Sequence, residues 1–250
     1  NLGHMHSQYK YVIFHEFGHA DEVDLGESVK WYVKSAKQGF VNAQRKLGNI
    51  YATGVLGDAD LQEAKKWYRN GAKSGDSVSQ FNLAVLLNSV DASNEDKLEA
   101  IKWYKSAADQ GEARASFNLG KMYAEGDGVA VDPEEALIWY RLSALDGHTE
   151  GQYQVARSYL YGTGVAKDVD AAIKWFKKAA DAGHEEALYQ LGVIYVTGDE
   201  SVRNISEAIQ IWEEASAMGN ARAQYNLGGL YLKGEGVKKD FELAREWFLK

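Results

Sequence analysis

His15-Glu16-Phe17-Gly18-His19 is a stretch whose residue types and spacing spell out a reaction. Two histidines one helical turn apart can share a zinc ion, and the glutamate between them can activate a metal-bound water for hydrolysis. That chemistry needs a helix running through both imidazoles and a third ligand from elsewhere. Asp21 and Glu22 lie nearby without an assignable role as that ligand, and Asp24 is required as the cap of the following helix. His6, His148 and His184 do not cluster and read as loop or surface residues. The absence of cysteine removes thiolate metal sites and disulfides. A zinc hydrolase is therefore the weakest reading, and neither a catalytic residue, a metal nor a cofactor is assigned.

A second kind of chemistry is recognition without reaction. Asn82, Asn118, Gln154, Gln190 and Asn226 recur at a spacing of 36, with Lys10 and Lys46 continuing the column toward the N-terminus. Each amide offers a donor and an acceptor, so such a ladder could hold the main chain of an extended peptide; it could equally bridge adjacent helices. Beside it run Asn49, Val85, Lys121, Arg157, Val193 and Gly229, then Thr53, Ser89, Glu125, Tyr161, Thr197 and Lys233. These positions change from one period to the next. The Gly-x-Gly pairs at 126/128, 162/164 and 234/236 join helix to helix with no preceding strand, so they read as hairpin turns rather than phosphate loops.

The elements that must position these side chains follow from one lattice. Trp31, Trp67, Trp103, Trp139, Trp175 and Trp247 share the 36-residue period, with Ile211 in the vacant slot and Trp212 beside it. A fixed period of that length signals two-element units stacked side by side. In the unit around Ala115, Leu119 and Met122 the apolar spacing is helical, and Gly126 and Gly128 end the helix. Gly18 falls on that same helix-ending column, which breaks the helix that the zinc motif would need. A second helix starts at Asp132 as N-cap, with Pro133 at its first position and Glu135 completing a capping box. Asp60, Asp96, Asp168, Asn204 and Asp240 occupy the same cap position, and Gly39, Gly75, Gly111, Gly147, Gly183 and Gly219 close the second helix. Gly48, Gly120, Gly192 and Gly228 lie within the first helix, where glycine costs roughly 1 kcal/mol relative to alanine; the recurrence implies close approach of a neighbouring backbone. The Trp column and the aromatic column after it read as core. Between Asn88 and Asp96 the usual Tyr and both glycines give way to Leu87, Val90 and Ala92, so this turn is expected to be irregular.

The run Ala115-x-x-x-Leu119-Gly120-x-x-Tyr123-x-x-Gly126-x-Gly128-Val129-x-x-Asp132-x-x-x-Ala136-x-x-Trp139-Tyr140 resembles the Sel1-like repeat, and the resemblance covers nearly the whole chain. The tetratricopeptide repeat is a related hairpin, but its period is about 34 residues. The resemblance implies an all-α fold, a right-handed α/α superhelical solenoid of about seven hairpins spanning residues 1–250 as a single domain. It also implies a non-catalytic adaptor or scaffold for protein complexes, with a host-interaction, virulence or complex-assembly role in bacterial relatives. The expected partner is a protein or extended peptide on the concave face lined by the first helices. Lys46, Asn49, Asn82, Val85, Asn118, Lys121, Gln154, Arg157, Tyr161, Gln190 and Asn226 are the candidate groove. A structural spacer between other domains is the alternative. The disulfide-bearing branch of the family does not apply to a chain without cysteine.

The formal net charge of −8 argues against general affinity for nucleic acid or anionic membrane. No apolar run has membrane-spanning length, and no leader-like start is visible, which leaves a soluble chain in cytoplasm, periplasm or secretion as open readings. Polar capping repeats are missing at both ends, so the chain is expected to be a piece of a longer protein. Its oligomeric state is not legible.

Overall fold

The computed structural model of the protein describes residues 25–55 and 57–250. His15, Glu16 and His19, with Lys10, lie outside the described residues. The described residues form thirteen α-helices and no strand. They alternate along the chain as α1 (Leu25–Lys37), α2 (Val41–Thr53), α3 (Leu61–Lys73), α4 (Ser77–Leu87), α5 (Asn94–Ala108), α6 (Ala113–Glu125), α7 (Pro133–Leu145), α8 (Thr149–Tyr161), α9 (Val169–Asp181), α10 (Glu185–Thr197), α11 (Ile205–Ala217), α12 (Ala221–Lys233) and α13 (Phe241–Leu249). Even-numbered helices are the first helices of the repeats and odd-numbered ones the second.

The sequence punctuation produces two different turns. Where α3 ends, Gly75 takes φ +90°. Its N–H bonds to the Ala72 carbonyl at 3.0 Å and the next N–H, from Asp76, reaches Gly71 at 3.1 Å. This double closure satisfies carbonyls that a helix end leaves open. Asp76 is at once the residue that completes this closure and the N-cap of α4, accepting from Ser79 N. His148, His184 and Asn220 play the same double part at α8, α10 and α12. Successive repeats are thus joined by one shared residue with no slack. His148 and His184 are capping residues, which corrects their reading as plain loop positions.

Within a hairpin the first helix closes on a left-handed glycine, as at Gly54, Gly126, Gly162 and Gly234. The loop is then pinned where the N–H of the next cap meets a carbonyl of the first helix: Asp60 to Tyr51, Asp168 to Tyr159, Asn204 to Tyr195 and Asp240 to Tyr231, at 2.9 to 3.0 Å. The second glycine of the pair has a packing role rather than a hinge role. A Cβ on Gly164 would run into the Pro133 carbonyl at the start of α7. The turn after α4 is irregular: Asn88 ends the helix at φ −96° without a left-handed residue, and Val90 is 98% exposed. Here Ser93, not Asp96, is the N-cap of α5. Ser93 Oγ accepts from Asp96 N and donates to the Asp96 carboxylate at 2.7 Å, because the altered turn starts the helix earlier.

The second helices bury aromatics in a defined slot. Tyr32, Tyr68, Tyr104 and Phe176 are buried, and Trp212 occupies the same column. The ring lies flat on the first helix of its own hairpin: a Cβ on Gly48 would overlap Tyr68, one on Gly192 would overlap Trp212, and one on Gly228 would overlap Phe248. The helix-interior glycines therefore make room for a ring, not for a neighbouring backbone. The Trp column is shallower, with Trp103, Trp139 and Trp175 half-buried. Two of their indole N–H groups bind the glutamate that follows the cap, whereas Glu63 turns to Lys66 and leaves the buried Trp67 Nε1 without a partner. Glu99 accepts from Trp103 Nε1 at 3.0 Å and Glu135 from Trp139 Nε1 at 2.8 Å, so the carboxylate holds an indole rather than closing a capping box. Where Leu243 takes the glutamate's place, the buried Trp247 Nε1 has no acceptor.

The chain divides into two compact units, Asn1–Val131 and Asp132–Lys250. In the first, Tyr32, Ala36, Ala43, Leu47, Ile50 and Trp67 form one core cluster. In the second, Phe176 and Leu191 centre one cluster, and Trp212, Leu227 and Trp247 another. No helix among the described residues is long and apolar enough to cross a membrane.

Candidate functional site

The amide column lies on the first helices, half-buried rather than fully exposed at Lys46, Asn82, Asn118, Gln154, Gln190 and Asn226. In the first unit its members reach the slot aromatics. Tyr68 Oη donates to Asn49 Oδ1 at 2.7 Å and is also hydrogen-bonded by Asn82. Asn118 Nδ2 donates to Tyr104 Oη at 3.0 Å. One phenol thus ties its own hairpin to the next. Burial pushes both hydroxyls up to about 12, outweighing the amides that favour the charged form.

The second unit uses the same column differently: the slot residues fourteen positions before Gln190 and Asn226 are Phe176 and Trp212, which carry no hydroxyl, while Gln154 follows Tyr140. Gln154 Nε2 turns to Glu150 at 2.9 Å, and Gln190 Nε2 to Glu186 at 3.0 Å. Those carboxylates join successive repeats: Glu150 meets His184 Nε2 at 3.0 Å, and Glu186 pairs with Arg222. His184 stacks on Tyr153 at 4.4 Å between ring centroids, and the Arg222 guanidinium lies 4.2 Å over Tyr189. The His184 hydrogen bond, ahead of the opposing effect of burial, holds the Glu150 carboxyl below the usual carboxylate range.

The column beside the amides is exposed at Asn49, Val85, Lys121 and Arg157, and Tyr161 at the end of α8 is 61% exposed. Arg157 contacts Gln154 Oε1 at 3.4 Å and Lys121 stands 3.9 Å from Glu125. Val85, Asn118 and Lys121 come together in a cleft of about 410 Å³ between α4 and α6. In the second unit Asn226 lies in the equivalent cleft of about 370 Å³ between α10 and α12, with Val193 and Gly229. Gln154, Arg157 and Tyr161 follow one another along α8. Among the described residues no group of three or more His, Asp or Glu side chains could hold a metal ion.

The Sel1 repeat pattern matches seven consecutive segments, residues 6–40, 41–76, 77–112, 113–148, 149–184, 185–220 and 221–250. The chain belongs to the Sel1-repeat family. The Sel1 boundaries fall at the shared cap residues, so each repeat starts where a first helix does. Two solved Sel1-type structures are similar to it. One is a protective antigen present in uropathogenic Escherichia coli strains and displaying an SLR fold, 32% identical with a TM-score of 0.91 over 99% of this chain. The other is a Sel1 repeat protein from Oxalobacter formigenes, 30% identical with a TM-score of 0.78 over 97% of this chain and 70% of that one. The chain spans about half, 53%, of the E. coli antigen. A comparison with curated proteins found no match. The all-α solenoid fold is that of these Sel1 proteins, and Sel1 repeats mediate protein–protein interaction.

The sequence reading did not find the aromatic column formed on the first helices by Phe81, Phe117, Tyr153, Tyr189 and Tyr225, nor its cationic covers. Arg114 lies 4.3 Å over Phe81, as Arg222 does over Tyr189. The signal for the aromatics was available, since their column keeps the 36-residue spacing; Arg114 and Arg222 stand three periods apart with Glu150 and Glu186 at the positions between.

Proposed function

We propose that this Sel1-repeat chain is a non-catalytic scaffold that takes a segment of a partner protein along the face lined by its first helices. The carrying observation is a contrast between adjacent columns. The buried column holds Leu47, Leu83, Leu119, Leu191 and Leu227, while two positions further along the same helices are Asn49, Val85, Lys121, Val193 and Gly229. In the second set Asn49 is held by Tyr68 and Val193 packs on the core, while Val85 and Lys121 are exposed and are side chains a partner would meet first. Lys46, Asn49, Asn82, Val85, Asn118 and Lys121 are the proposed contacts in the first unit, and Gln154, Arg157, Tyr161, Gln190 and Asn226 those in the second. Likeness to a protective antigen supports a host-facing or complex-assembly role in a bacterium. Alternating aromatic, amide and charged groups suit protein rather than polyanion, in keeping with the net charge of −8.

A crosslinking pull-down from lysate of the source organism tests this. The wild-type chain is compared with a face variant, Lys121→Glu with Arg157→Glu and Tyr161→Ala, and with an outer-wall variant, Ile138→Ala with Lys174→Glu and Glu214→Lys. All six positions are exposed, so matched helicity is expected. Selective loss of partners from the face variant supports the proposal, whereas an equal catch from all three chains removes it.

A further inference from the structure

The two clefts lie 108 positions apart in the sequence and at the same place in the repeat, yet their chemistry differs. In the cleft between α4 and α6 the groups at the repeat positions are engaged, with Asn118 bound to Tyr104 Oη, Lys121 near Glu125 and Lys97 paired with Asp127 at 2.7 Å, while Asn88 Oδ1 at the end of α4 is buried without a partner. In the cleft between α10 and α12 the slot aromatic is Trp212, whose Nε1 donates instead to the Tyr189 carbonyl at 3.0 Å. Asn226, the counterpart of Asn118, is therefore left without its hydroxyl partner. The counterpart of Lys121 is Gly229, and a Cβ there would meet nothing within 4 Å. Unlike Gly192 and Gly228, this glycine makes room for no group of the protein itself. A helix-interior glycine facing an open cleft leaves space for an approaching main chain.

We infer that the α10–α12 cleft is the peptide-gripping point of this chain, and that it takes an uncharged, extended segment with a small apolar side chain. The inference rests on the protein-binding reading of the first-helix face and locates it. The Asn226 amide matches one peptide N–H and one peptide carbonyl. Gly229 lets that main chain close on α12, and Val193, Val196 and Trp212 receive the apolar side chain. Lys233, the cation at the cleft edge, stands 3.7 Å from Glu235, so charge complementarity favours a neutral occupant over an acidic one. In the α4–α6 cleft the amide at the equivalent position, Asn118, is committed to Tyr104 and Lys121 stands where Gly229 leaves space.

The chain has no cysteine, so single introduced thiols report on each cleft separately. Thr197→Cys and Ser89→Cys place equivalent exposed positions at the two clefts, and Lys174→Cys marks the outer wall. Each is equilibrated, in the full chain, with the blocked peptide acetyl-Cys-Ser-Ala-Leu-Ala-Ser-amide across a reductant series. The mixed disulfide at Thr197→Cys is expected to survive about tenfold more reductant than the other two, equivalent to ~1.4 kcal/mol of binding. Adding Gly229→Lys, which restores the residue type of the other cleft, is expected to abolish the excess without unfolding the chain. Retention favouring Ser89→Cys overturns this assignment while leaving a peptide-binding face. Equal retention at all three sites overturns both, and an excess indifferent to Gly229→Lys overturns the role of the bare glycine and the assignment with it.

Discussion

Glu150 joins three groups on two helices through one carboxylate: Gln154 on its own helix, His184 at the cap of α10 and, through that ring, the Ala187 amide. A ring nitrogen that accepts a backbone N–H is unprotonated, so Nδ1 of His184 is bare and Nε2 carries the hydrogen toward Glu150. Since the folded Glu150 carboxyl lies below its ordinary value of 4.5, its contribution to stability is present above that value. That contribution is lost as the pH falls through the lower, folded value. Glu150→Gln should lower the unfolding free energy from urea denaturation near neutral pH by about 1 kcal/mol or less, because the carboxylate is partly exposed. The gap between the two chains should narrow as the pH drops below 4.5. A gap constant with pH would show that the amide satisfies the same contacts as the charge. Such couplings were only half legible in the sequence. The amide column was visible from its spacing, but what an amide binds is set in the fold: Asn118 takes Tyr104 fourteen positions earlier, while Gln154 takes Glu150 on its own helix. A column read in isolation does not reveal that partner.

Each hairpin is assembled around a ring and the backbone it covers, and this pairing sets what the elements tolerate. Ala84 stands where Gly192 stands, in a hairpin whose slot holds the smaller Tyr104 instead of Trp212. A methyl group at 192 would overlap the Trp212 indole, so Gly192→Ala is expected to cost about 1–3 kcal/mol by overpacking despite the better helix propensity of alanine. Gly192→Ala with Trp212→Tyr recreates the pair at 84 and 104 and should recover most of that loss. Thermal unfolding of the four chains of this cycle decides it; additive losses would mean that the ring and the glycine do not communicate. Caps and glycine closures were legible because they act within a few residues of chain. The shift from Asp96 to Ser93 was not, because losing the glycine closure after α4 moves the helix start and leaves Asp96 inside its first turn. The glutamate after each cap also looked like a capping-box partner, since the competing indole donor lies one turn further on and only the folded helix brings the two together.

At the scale of the molecule, the 36-residue lattice carried the fold, because a period fixes which residues face one another before any of them is placed. The same logic makes a repeat removable. Excision of residues 185–220 joins His184 directly to Ala221, so His184, already a cap for α10, becomes the cap for α12. Arg222 loses Glu186 and Tyr189 but finds Glu150 and Tyr153 at the same offset of one period. The shared cap leaves no linker to readjust. The shortened chain is expected to keep its helicity per residue and unfold cooperatively, with a smaller dependence on urea because less surface is exposed on unfolding. It should lose the peptide preference of the α10–α12 cleft, since Val193 and Val196 go with the excised helix. An excised chain that aggregates or loses helicity per residue would show that the neighbours of this repeat recognise it individually, and that the period alone does not define the interface.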